Sequence, residues 1–151
     1  MNTVMVGATL MALVLTADVT AQEAHEIQML NRGSDRQNMV FEPAYLNVAP
    51  GDTITFVNAQ GMHNAATIEG MLPESASEFN GRIGETISFV ATEEGLYGIK
   101  CTPHYGAGMV ALIKVGDGAA PNFEEARAVR HPGLARRRIE ALFELAEADQ
   151  Q

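Results

Sequence analysis

The chain has no tryptophan, a single cysteine and, in 151 residues, only 10 basic side chains against 19 acidic ones. Each shortage rules something out. One cysteine cannot form an internal disulfide, so no disulfide framework holds the fold. A formal net charge of −9 is the wrong sign for a nucleic-acid surface. With aromatics at 6%, the core has to rest on Val, Ile, Leu, Met and six Phe. No apolar run reaches the roughly 20 residues that a membrane-spanning helix needs. The longest, Val4 to Leu15, has the length of a signal-peptide core. Val19-Thr20-Ala21 then supplies the small or modest side chains a signal peptidase requires, which predicts cleavage after Ala21. The positive start of such a signal is reduced to the terminal amine, because Met1-Asn2-Thr3 carries no Lys or Arg. Residues 1–21 are therefore read as a signal peptide and 22–151 as one exported domain with no membrane anchor. Only Asp18 is lost with that segment, so 18 acids still face 10 bases.

What is present reads as short strands separated by turns from Ala24 to Val115. Ile27 and Met29 alternate with Glu26 and Gln28. Pro50-Gly51-Asp52 makes a turn, and Ile54 and Phe56 then share one face of 53–58. Ile87 and Phe89 do the same in 86–90. Tyr97, Ile99 and Cys101 share a face in 96–101, and Met109, Ala111, Ile113 and Val115 share one in 109–115, with Lys114 opposite. Strands at this spacing, with no helix between them, predict an antiparallel sandwich or barrel over 22–118. After Gly116-Asp117-Gly118 the pattern changes to a helical period over 122–148. Asn122 stands where an N-cap would, with Glu125 three residues on. That helix is predicted to run to about Arg130, with His131-Pro132-Gly133 as the break. A second, from Leu134 to Ala148, has Ala135, Ile139, Leu142, Phe143 and Ala146 on one apolar face, expected to pack on the sandwich. Arg136, Arg137 and Arg138 point in different directions on such a helix and read as solvated.

The chemistry concentrates in Cys101-Thr102-Pro103-His104-Tyr105-Gly106-Ala107-Gly108-Met109. Pro103, Gly106 and Gly108 oppose a regular helix, so the segment is predicted to be a loop between two strands, with His104 at its tip. Cys101, His104 and Met109 then need one more partner from elsewhere, and His63, before a strand-like stretch over 64–68, can supply it. A thiolate, two imidazoles and a weak axial thioether make a trigonal site suited to copper in both oxidation states. Three other readings remain beside it. Structural zinc seldom accepts methionine. A cysteine hydrolase would need a base, an orienting partner and a free Cys101. A copper-trafficking or storage protein would use similar soft ligands but keep copper in one oxidation state. His25 and His131 lack supporting partners and read as structural or surface residues, and Met29 and Met71 as core fillers.

The segments Met39-Val40-Phe41-Glu42-Pro43-Ala44-Tyr45, His63-Asn64, Gly95 to Tyr105 and Gly108-Met109, with the two C-terminal helices, resemble those of the pseudoazurins, type 1 copper proteins of the cupredoxin family. The resemblance runs from about Glu26 to Leu145. It implies an eight-stranded Greek-key β-sandwich carrying two C-terminal α-helices, with one copper ion at one end. His63, Cys101 and His104 match the strong ligands and Met109 the long axial one. Asn64 matches the residue that ties the two ligand-bearing loops together. The family implies a monomeric periplasmic carrier, not an enzyme, that passes single electrons to partners such as nitrite reductase or cytochromes. Met39, Pro103 and Ala107 match an apolar docking patch around His104. Lysines usually ring that patch. Here Lys100 is present, Arg32 and Arg82 fall near other such positions, and Gly61 and Asn80 occupy places often held by lysine. Met62 stands where glycine usually precedes the first histidine, and can either crowd the site or enlarge the patch. Residues 22–121 hold 5 bases against 12 acids, which predicts weaker long-range attraction to an acidic partner.

Overall fold

Alternating apolar residues commit the chain to strands, and the computed structural model, which describes residues 21–150, places them in two layers. Residues 1–20, on which most of the signal-peptide reading falls, lie outside the described residues. The strands are β1 (Ala24–Arg32), β2 (Asn38–Glu42), β3 (Tyr45–Val48), β4 (Thr53–Val57), β5 (Ala66–Thr67), β6 (Ile87–Val90), β7 (Gly95–Lys100) and β8 (Val110–Val115). One sheet has the order β2-β1-β4-β6 and the other β3-β8-β7-β5. The eight-stranded sandwich is as expected, but the sheets are mixed rather than antiparallel. β1 runs parallel to β4, and β3 parallel to β8. Alternation along one strand cannot reveal this, because it fixes faces and not partners.

Ile27, Met29, Phe41, Ile54, Phe56, Tyr97, Ile99, Ala111 and Ile113 fill the space between the sheets, with Cys101 and Met109 at one end of the same cluster. Phe56 is the hub, with its ring 5.5 Å from Phe41 and 6.3 Å from Phe79 and from Phe89. The second sheet is covered on its outer face as well. Helices α1 (Phe123–Ala128) and α2 (Ala135–Ala148) pack there, α2 against β8 and β3, and α1 against β7. The five apolar positions expected on α2 are all buried. A sheet covered on both sides explains why every residue of β8 is buried. Lys114 is accordingly withdrawn from solvent on the helix side, its Nζ donating to the Gly116 carbonyl. No helix among the described residues is long and apolar enough to cross a membrane.

Asn122 does not cap α1 through its side chain. Its Oδ1 accepts from Leu96 N–H at 2.8 Å and its Nδ2 donates to Leu96 C=O at 2.9 Å. The side chain thus imitates a neighbouring strand and pins the start of α1 to β7. Residues 129–130 are not helical, so α1 is shorter than predicted.

At the end away from Cys101, the buried Asp52 closes the turn before β4. It accepts from Glu23 N–H at 2.9 Å, from Ala49 N–H at 3.0 Å and from His25 Nε2 at 2.9 Å. His25 is thereby structural, as expected. Burial raises the Asp52 pKa, but the Glu23 N–H, His25 and Ala49 N–H outweigh it and hold the carboxyl below its ordinary value. Asp52→Ala would leave two backbone donors without a partner, and is expected to cost about 3 kcal/mol in a denaturant titration at pH 7. A depressed carboxyl pKa stabilises the fold above the unfolded value of about 4 and ceases to do so as pH falls through the folded value. The gap between parent and variant should therefore narrow in acid.

Candidate metal centre

β7 and β8 are adjacent and antiparallel, and the chain leaves β7 at Lys100 and joins β8 at Val110. Residues 101–109 must turn within that span. Cys101 N–H donates to Met109 C=O at 3.0 Å, which closes the loop at its base. Inside it, His104 N–H reaches Cys101 C=O at 3.2 Å, Ala107 N–H reaches His104 C=O at 3.1 Å, and Met109 N–H reaches the same carbonyl at 3.2 Å. Cys101 and Met109 face the core with no exposed surface, while the ring of His104 is half-buried. His63 arrives from the connection before β5. That strand spans only two residues, shorter than the expected 64–68, so a loop rather than a strand end carries His63.

Three ligand atoms converge. His63, Cys101 and His104 each offer one within 4.8 Å of the others. The two Nδ1 atoms lie 3.1 Å apart, and Cys101 Sγ lies 3.8 Å from that of His63 and 3.4 Å from that of His104. On the far side of its ring, His63 Nε2 donates to Asn31 Oδ1 at 3.0 Å. An amide oxygen only accepts, so the ring proton is on Nε2 and the Nδ1 lone pair is free toward the cluster. Burial, with the His104 ring beside it, lowers the His63 pKa and keeps that lone pair bare at neutral pH. Burial pushes the Cys101 thiol up, against the opposing pull of the Asn64 and His104 N–H groups. A sulfur and two ring nitrogens facing one another in a dry pocket suit a soft-to-borderline cation.

Asn64 ties the two ligand-bearing segments together. Its Oδ1 accepts from Thr102 N–H at 2.7 Å, and its Nδ2 donates to Gly81 C=O at 2.9 Å, Thr102 Oγ1 at 3.1 Å and Asn80 Oδ1 at 3.2 Å. The C-terminal extension braces the loop from outside. Leu134 N–H donates to Gly106 C=O at 3.0 Å, and the Tyr105 hydroxyl meets His131 Nδ1 at 2.6 Å. Burial keeps the Tyr105 pKa up and the His131 pKa down, so the hydroxyl donates to a neutral ring. Gly133 has no room for a side chain, since a Cβ would come within 2.3 Å of the Gly106 oxygen.

A family model described as copper binding proteins, plastocyanin/azurin family, matches residues 27–116. The pseudoazurin of Paracoccus pantotrophus is 46% identical over 125 residues, 83% of either chain. That of Methylorubrum extorquens is 39% identical over 137 residues, 91% of either chain. A solved Sinorhizobium pseudoazurin aligns with a TM-score of 0.81 and 36% identity, over 85% of this chain and 99% of that one. The chain belongs to the pseudoazurin family. It is a copper electron-transfer protein of the cupredoxin fold and not an enzyme.

Seen as a pseudoazurin-family surface, the ground around His104 is apolar. Pro103 and Ala107 are exposed, and Met62 is 66% exposed. Met62 therefore faces solvent and does not crowd the buried ligands. Met39 contributes less, since it is partly buried against the core. Lys100 lies over the Tyr105 ring, its Nζ 5.3 Å from the centroid, which fixes one positive charge beside the patch. Sequence reasoning missed two residues. Asn31 carries no motif and is visible only through its bond to His63. Arg138 is half-buried rather than solvated, and its guanidinium donates to the carbonyls of Asn38, Met39 and Gly108.

Proposed function

We propose that this chain is a periplasmic one-electron shuttle whose copper is held by His63 Nδ1, Cys101 Sγ and His104 Nδ1, with the Met109 thioether as a weak axial ligand. The observation that carries this reading is that two imidazole Nδ1 atoms and one buried sulfur lie 3.1 to 3.8 Å from one another. Copper supplies a couple that gains and loses one electron on the same soft ligands. The chain's residues do the rest. The Asn64 bridges and the hydrogen bonds within 101–109 hold the ligands in place, and the apolar floor excludes water. Rigid ligands keep the rearrangement between oxidation states small. His104 is the one member of the set whose ring reaches the surface, so its edge is the natural point of electron exchange. The apolar ground of Pro103, Ala107 and Met62 suits a small, transient encounter of the kind redox proteins make. A nitrite reductase or a cytochrome fits as partner. Lys100, Arg32 and Arg82 supply a local basic rim on an otherwise acidic protein. The apolar run Val4 to Leu15 supports export.

The experiment is a copper titration followed by redox cycling. The protein should take up one Cu(II) per chain and release about one proton from Cys101 into weak buffer at neutral pH. It should then pass repeatedly between two oxidation states without losing metal. Acid should weaken uptake, because protons compete for the thiolate and for the His63 lone pair. Copper that stays bound in one oxidation state and shows no reversible oxidation and reduction would exclude a shuttle and favour a trafficking or storage role.

A further inference from the structure

We propose that Arg138 is a positioning residue of the copper centre, clamping the peptide that leads into Met109 to the bent start of β2. The inference rests on the copper reading above. Of the three consecutive arginines on α2, Arg136 and Arg137 are exposed and Arg138 alone is half-buried. Its Nη1 donates to Gly108 C=O and to Met39 C=O, each at 2.9 Å, and its Nη2 to Asn38 C=O at 3.2 Å. These carbonyls belong to different layers. Asn38 and Met39 open β2 in one sheet, and Gly108 lies just before β8 in the other. β2 and β8 share no ladder, so one planar guanidinium bridges the two sheets at the ligand end.

Both segments need holding. The Gly108 carbonyl lies in the peptide plane that joins Gly108 to Met109, so its direction sets where the Met109 backbone begins. Gly108 has φ +89°, and a Cβ there would come within 2.8 Å of Arg138 Cδ, so the arginine stem lies directly against this turn. Met39 has φ 53°, a left-handed conformation that a long side chain adopts only where its surroundings impose it. Arg138 grips the carbonyl on either side of that strained residue. The Met39 side chain packs on the cluster containing Cys101 and Met109, so the clamp reaches the ligands from two directions. Among the described residues no carboxylate lies within ion-pair distance of Arg138. The side chain is spent on backbone carbonyls, which is a geometric role. Ile139, Leu142 and Phe143 bury the next turns of α2, which makes its anchor rigid. The potential and spectrum of a copper site with a weak axial thioether depend on that ligand's placement, and a displaced Gly108–Met109 peptide would alter both.

The test compares full-chain, copper-loaded parent, Arg138→Lys, Arg138→Met and the exposed control Arg137→Met by visible spectrum, midpoint potential and thermal melting. The expected result is a changed ratio of the thiolate-to-copper bands and a moved midpoint in both Arg138 variants. The change should be smaller for lysine, which keeps a charge but cannot fork across three carbonyls, and absent in the control. Bands and midpoint equal to the parent's in both Arg138 variants would overturn the inference, even if their melting temperatures fall, since that is what a purely structural tie would do. If Arg138→Met does not fold, Arg138→Lys decides by the same two readouts. A parent without any thiolate-to-copper band would be a different failure, that of the copper assignment itself.

Discussion

Cys101→Ser is expected to bleach the copper-loaded protein completely. The intense visible band of a copper–thiolate centre is charge transfer from sulfur to the metal, and serine has no comparable orbital to donate. The substitution is conservative in every other respect, which makes the result diagnostic. Cys101 is fully buried, and the N–H groups of Asn64 and His104 that face its sulfur can equally serve a hydroxyl. The fold should therefore survive, with a stability loss of about 1–2 kcal/mol for placing a hydroxyl in the apolar cluster. Retention of Cu(I) should collapse, because the remaining soft ligand is one thioether. The measurement is a visible spectrum of parent and variant given one equivalent of Cu(II), with a denaturant melt of the metal-free forms to show that both are folded. A serine variant as intensely coloured as the parent would remove Cys101 from the ligand set and with it the proposed site.

The sequence was legible where a short-range rule applied. Period-two alternation marked the strand faces of β1, β4 and β8, and a 3.6-residue period marked the five buried positions of α2. The clustering of Cys101, His104 and Met109 was readable because soft and imidazole donors at such spacing have few uses other than metal binding. What could not be read depends on contacts distant in sequence. The parallel pairings of β1 with β4 and β3 with β8 are choices of partner, which the strands' own residues do not encode. Lys114 looked like an outward residue because its strand alternates with an apolar face, yet a helix layer covers the other side. Asn122 has the residue type and spacing of a cap, but Leu96 offers both a donor and an acceptor and takes the amide instead. Arg138 stands in a basic run that elsewhere would be solvated, and only the fold places three backbone carbonyls around it. Asn122 and Arg138 each found partners on another element, because a buried donor or acceptor left alone is costly.

That same cost makes Asn64→Ala the most disruptive change expected outside the ligands. The side chain is 3% exposed and makes four hydrogen bonds across three segments, to Thr102 twice, Gly81 and Asn80. Alanine would leave the part-buried Thr102 N–H and Gly81 carbonyl without their partner. Each orphan costs about 1–3 kcal/mol, so a total near 3–4 kcal/mol is expected from denaturant unfolding of the metal-free protein. The effect on copper should go beyond stability. Asn64 follows His63 directly, and Thr102 follows Cys101 directly, so the bond between them sets the separation of two ligands. With it gone, His63 and Cys101 are free to drift apart, and copper affinity should fall about 10–100-fold, as when other ligand-supporting hydrogen bonds are removed. Asn64→Ser, whose shorter hydroxyl can serve only one partner, should fall between parent and alanine in both readouts. Competition with a copper chelator measures the affinity. If Asn64→Ala lowers the unfolding midpoint while its chelator competition matches the parent's, Asn64 holds the fold together and leaves the ligands where they are.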